Sequence, residues 1–159
     1  MFNIRNAHLD DSGKLAAIGY TVWVTTYAKE GIRDSFLNFL ANEFSNEHMQ
    51  ERIKKNQVLV VESGEHLCGY SVMEQPETGK KCELITFYLL PEFQGKGLGK
   101  TLLEAVKQQA PEGLWLSCYE GNKQALSFYK KQGLKCIGSR YFELESEKHL
   151  NWIFESQLT

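Results

Sequence analysis

The stretch "KCELITFYLLPEFQGKGLGKTLLEAV", residues 81–106, constrains the fold more than any other part of the chain. Its first ten residues are rich in β-branched and aromatic side chains, which predicts a long strand over 81–90. Pro91 closes that strand, because its ring fixes φ and it has no amide proton to give to a sheet. Three glycines follow at 95, 97 and 99, and then Leu98, Leu102, Val106 and Ala110 recur at i, i+4 spacing. That stripe predicts an amphipathic helix over 97–110. A glycine turn running from a strand into a helix leaves unpaired N–H groups at the positive end of the helix dipole, a setting suited to a phosphate.

The flanking segments supply the other elements. "FNIRNA" (2–7) reads as a short strand, and the segment up to Tyr27 as a helix with Asp11 or Ser12 as N-cap and Leu15, Ile18 and Val22 on one face. Residues 34–55 hold one or two more helices. "QVLVVE" (57–62) and "LCGYSVME" (67–74) form a hairpin around "SGEH". "LWLSCY" (114–119) is a strand, "NKQALSFYKKQ" (122–132) a helix ending at Gly133, and two strands close the chain near 134–144 and 148–156. The order β-α-α-β-β-β-α-β-α-β-β fits neither a doubly wound sheet nor an all-β fold; it is a mixed α/β layer fold. With no repeat or Pro/Gly/Ser linker, residues 1–159 are expected to form a single domain.

Three phosphate-binding patterns compete for the glycine turn. A P-loop ending in Gly99-Lys100-Thr101 needs glycine at 94, where Gln94 stands. A dinucleotide G-x-G-x-x-G needs glycine at 100 or 102, where Lys100 and Leu102 stand. The pattern [Q/R]-x-x-G-x-[G/A] is met by Gln94, Gly95, Lys96, Gly97, Leu98 and Gly99. With it comes a second signature, N-x-x-A-x-x-F-Y-x-x-x-G-[FL], carried by Asn122, Ala125, Phe128, Tyr129, Gly133 and Leu134. On these two motifs the sequence resembles the GNAT superfamily of acetyl-CoA-dependent N-acetyltransferases, firmly over 57–145 and loosely before it.

That resemblance implies a central mixed, mostly antiparallel sheet of about seven strands with a splayed strand pair, flanked by about four helices. It implies acetyl-CoA as co-substrate, with the pyrophosphate cradled by residues 94–100 and pantetheine lying between strands 85–90 and 114–119. Phe87, Leu89 and Leu90 become its backbone partners, and Lys96 and Lys100 add positive charge. Tyr129 becomes the general acid that protonates the departing thiolate. Asn122 contacts the cofactor or caps its helix, and the two roles are compatible. Glu83, at the start of the strand that leads to the reaction centre, is the candidate base, with an ordered water as the alternative. Relatives acting on protein N-termini often carry glutamate where Ser117 stands here.

The N-terminal third is expected to form the acceptor pocket. Trp23 and Tyr27, at i, i+4, either pack in the core or wall a pocket for a cationic amine. The expected activity is direct transfer of acetyl to a primary amine of a small molecule, a polyamine being one candidate. Protein N-terminal or lysine acetylation is the alternative substrate class, and a non-catalytic CoA-binding domain the alternative of another kind. Covalent catalysis through Cys118 carries little weight, since no histidine is placed by sequence to activate it.

A net charge of -2 argues against a nucleic-acid platform, and apolar runs no longer than "VLVV" (58–61) against a membrane span. The four cysteines form no CxxC pair and the four histidines no metal spacing, so no metal is expected and free thiols fit a cytoplasmic location. The terminal strands, if exposed, offer an edge for a homodimer.

Overall fold

The computed structural model describes residues 1–157. In chain order the elements are β1 (Asn3–Asn6), α1 (Ser12–Tyr27), α2 (Asp34–Glu43), α3 (Asn46–Lys55), β2 (Gln57–Ser63), β3 (His66–Met73), β4 (Cys82–Leu89), α4 (Leu98–Gln108), β5 (Leu114–Tyr119), α5 (Lys123–Lys131), β6 (Lys135–Leu144) and β7 (Glu147–Glu155). The strands make one sheet in the order β1-β2-β3-β4-β5-β7-β6. Every pairing is antiparallel except β4 with β5.

The expected mixed, mostly antiparallel seven-stranded sheet is therefore present. Five α-helices flank it where about four were expected, because segment 34–55 divides at Ser45. The Ser45 hydroxyl accepts the His48 N–H at 3.1 Å and so starts α3 afresh.

Helices cover both faces, and "VLVV" shows how the strands serve both. Val58 and Val60 pack with Leu15, Ile18 and Val22 of α1, whereas Leu59 and Val61 pack with Leu98, Leu102 and Val106 of α4. A strand buried on both faces must read as a continuous apolar run rather than an alternating one.

The start of α1 departs from expectation. Asp11 adjoins the helix as N-cap residue but makes no side-chain cap bond. Its carboxylate instead accepts the His8 N–H at 2.7 Å and pairs with Arg5 at 2.9 Å. That ties a preceding 3-10 turn, Leu9–Asp11, back to β1. Ser12 is already helical, and its hydroxyl bonds the Asn46 side chain at 3.1 Å.

Candidate active site

Strands β4 and β5 run together for two residue pairs only, Cys82 with Leu114 and Glu83 with Trp115, and then part. A bulge in β4 helps to aim the parting backbone. Thr86 pairs with Val72 and Leu84 with Met73, so Ile85 is an extra residue opposite β3. Before the bulge, the Cys82 N–H donates toward β5, to the Gly113 carbonyl at 3.0 Å. After it, the Leu90 N–H donates toward β3, to the Cys68 carbonyl at 2.9 Å. Alternation back from Leu90 turns the main chain of Phe87 and Leu89 toward the gap. Leu90, the third residue expected to offer backbone groups, gives its N–H to β3.

The gap opens into a cavity of about 1170 Å³ that runs from the start of α4 to the end of α1. At the α4 end it is lined by Gln94, Gly95, Gly97, Gly99 and Lys100. Gly95 and Gly97 hold φ of 75° and 83°, a left-handed backbone that favours glycine. Gly97 is the N-cap residue of α4, and the N–H groups of Leu98, Gly99 and Lys100 follow it as the helix's unpaired donors. Thr101 is the first to bond back, to Gly97 at 3.2 Å.

Gly97 and Gly99 differ in what surrounds them. A β-carbon at Gly97 would meet open space, whereas one at Gly99 would stand 3.2 Å from the Phe128 ring. Gly97 is thus a conformational glycine and Gly99 a packing one. Gln94 donates its side-chain amide to the Leu89 carbonyl at 3.0 Å, pinning the loop to the end of β4. The side chain of Leu98 is buried in the core, and Lys96 lies over the Phe93 ring at 5.6 Å; neither residue lines the cavity, and Lys100 does.

Tyr129 is buried on α5 and still reaches the cavity. Its ring packs among Phe87, Phe128 and Phe154, with centroids 5.4–6.2 Å away. Burial pushes its phenol well above the ordinary value, with Cys118 and Tyr88 adding to the shift, so the hydroxyl stays protonated at neutral pH. The sequence offered Asn122 two roles, and the geometry accommodates both. Its Oδ1 caps α5 by accepting the Ala125 N–H at 3.2 Å, and the residue also lines the cavity. Cys118 lines the cavity too, but burial drives its thiol up to about 12, which leaves it a poor nucleophile.

The other end of the cavity is aromatic. Trp23 stacks on Tyr27 at 4.5 Å, and Tyr27 stacks on Tyr119 at 4.6 Å, joining the end of α1 to the end of β5. Trp23 is also core, 3% exposed and packed on Phe36 at 4.9 Å and Phe39 at 5.0 Å. Alternation puts Trp115, Ser117 and Tyr119 on one face of β5, the face Glu83 shares through its pairing with Trp115. The Ser117 hydroxyl is buried and has no protein hydrogen-bond partner among the described residues.

Glu83 lines the cavity, half-buried, with its N–H donating to the Glu74 carboxylate at 2.7 Å. Burial pushes its carboxyl above the ordinary value; Arg140 and Arg52 pull against that and Glu74 adds to it. The Arg140 guanidinium stands 3.5 Å from Glu83 and 5.4 Å from the Trp115 ring centre. Arg140 and Tyr119 escaped sequence reasoning, since nothing local marks a residue that meets the site across a sheet.

Residues 25–134 match the acetyltransferase (GNAT) family. Among curated relatives, the spermidine N(1)-acetyltransferase of Thermoplasma acidophilum is 29% identical over 143 residues, 83% of this chain and 87% of that protein. The peptidyl-lysine N-acetyltransferase YjaB of Salmonella typhimurium is 30% identical over 144 residues, 87% of this chain and 86% of that protein. Among solved structures, the PaiA N-acetyltransferase of Thermoplasma acidophilum in complex with coenzyme A superposes with a TM-score of 0.84 at 23% identity, covering 99% of each chain.

Proposed function

The chain belongs to the acetyltransferase (GNAT) family, and on that premise we propose that residues 1–159 act as one domain that moves acetyl from acetyl-CoA to a primary amine of a small molecule. The observation that carries this reading is the parting of β4 from β5 into a cavity that has the α4 donors at one end and Glu83 with the aromatic ladder at the other. A donor with a pyrophosphate and an extended amide-bearing arm fits the first end, and an amine fits the second.

In this reading the N–H groups at the start of α4 take the pyrophosphate, and the Phe87 main chain and the Leu89 N–H pair with the pantetheine arm. Lys100 adds charge at the rim, and the Asn122 side-chain amide, whose oxygen is spent on the cap, offers its N–H groups. An ammonium ion loses a proton to Glu83, directly or through a water. The freed amine attacks the thioester carbonyl while both substrates are bound, and Tyr129 gives its phenolic proton to the departing thiolate. Trp23, Tyr27 and Tyr119 present ring faces and edges to the acceptor, a surface suited to a cation on an alkyl chain, as in a polyamine.

The test is thiol release from acetyl-CoA over a panel of diamines, polyamines, amino acids, aminoglycosides and lysine peptides. Turnover with small amines well above that with peptides is expected. Preference for peptides would move the assignment to protein acetylation, and CoA binding without turnover on any amine would make this a non-catalytic CoA-binding domain.

A further inference from the structure

Arg140 sits on the edge strand β6, three strands from Glu83 in sheet order, yet its guanidinium is the cation that stands against the Glu83 carboxylate. Two observations set it apart from an ordinary surface pair, and a third bears on how it would work. Both residues line the cavity. The guanidinium also lies over the ring of Trp115, the residue that pairs with Glu83 in the last rung before the strands part. And the contact is loose, 3.5 Å with the arginine side chain 51% exposed, so it can open when a substrate cation enters.

We infer that Arg140 is a positioning residue for acetyl transfer: parked on Trp115, it holds the Glu83 carboxylate ionised and turned into the cavity until the acceptor ammonium arrives. The inference rests on the reading of Glu83 as the base. Burial alone works against the ionised carboxylate, and Glu74, beside the Glu83 amide, works in the same direction. On the opposite side stand Arg140 from β6 and Arg52 from α3. Arg52 is already shared with Glu43 at 3.5 Å, so Arg140 is the cation in direct contact. When the ammonium takes that contact, one N–H proton passes to the carboxylate, leaving a neutral amine and a neutral carboxylic acid, and the acid returns the proton to solvent after turnover. A guanidinium cannot itself serve as the base at any working pH, which confines Arg140 to this supporting role.

The experiment is the pH profile of kcat/KM for wild type, Glu83→Gln, Arg140→Gln and Arg140→Lys, with the melting temperature of each. Wild type should show an acid limb that Glu83→Gln removes. Arg140→Gln should move that limb to higher pH by about one unit, since a lost neighbouring cation raises a carboxyl pKa; Arg140→Lys should leave it near the wild-type position. An unmoved limb in Arg140→Gln, with the limb still absent in Glu83→Gln, overturns the role of Arg140 and leaves Glu83 as base. A limb that persists in Glu83→Gln overturns both. A residue that only packs on Trp115 would lower the melting temperature in Arg140→Gln and leave the limb in place.

Discussion

Gly99 at the start of α4 lies against the ring of Phe128 on α5, so near that a β-carbon would stand 3.2 Å from Cε1 and 3.3 Å from Cζ. The last glycine of the loop and the first aromatic of the second motif are thus one contact, and the two motifs set the mouth of the cavity together. Gly99→Ala gains about 1 kcal/mol of helix propensity but overpacks this contact by roughly 1–3 kcal/mol. A net loss of about 1 kcal/mol in urea unfolding is expected. Gly97→Ala has no such contact and must hold an L-residue at a φ of 83°, which costs about 1–2 kcal/mol. Calorimetry should show CoA binding weakened in both variants, because each shifts the N–H groups that open α4.

Asp11 predicts a pH dependence of stability. The Arg5 guanidinium holds its carboxyl below the usual aspartate range, with the His8 N–H helping and burial opposing. A carboxyl depressed in the folded state stabilises the fold fully above about pH 4, where an unfolded aspartate is ionised. The contribution drains away as pH falls through the lower folded value. Asp11→Asn should therefore cost about 1–2 kcal/mol at pH 7 and progressively less as pH falls below about 4, read from urea midpoints across that range.

Ser117 carries a buried hydroxyl without a protein partner among the described residues. Ser117→Ala should leave stability unchanged or raise it by up to about 1 kcal/mol, since it removes a polar group from a site that does not satisfy it. A loss above 1 kcal/mol on unfolding would show that the hydroxyl is paired inside the protein.

The roles given to the second motif came from its family resemblance, and what local physics made legible there was the helix itself. Asn122 caps α5, and Gly133 ends it with a φ of 87° while the Leu134 N–H reaches back to the Tyr129 carbonyl at 3.1 Å. Strand boundaries followed from composition for the same reason, and β5 falls on 114–119 as expected. Strand order did not follow. That β7 lies between β5 and β6 is a matter of long-range pairing, which no window of sequence contains. Arg140 was missed on the same account, since it meets a residue 57 positions earlier in the chain. Tyr27 shows the intermediate case: its helical spacing from Trp23 was readable, but its stacking on Tyr119 depends on where α1 and β5 end. Asp11 stood where a cap residue was expected, and it serves β1 because Arg5 lies within its reach.

The most direct measurement compares Tyr129→Phe with wild type in kcat and in CoA affinity. Burial keeps the phenol protonated, and its hydroxyl has no protein partner among the described hydrogen bonds, so the substitution leaves the packing with Phe87 and Phe154 intact. Loss of a general acid should lower kcat by roughly 10²–10⁴-fold with CoA affinity and melting temperature unchanged. A kcat within a factor of two of wild type would contradict the account.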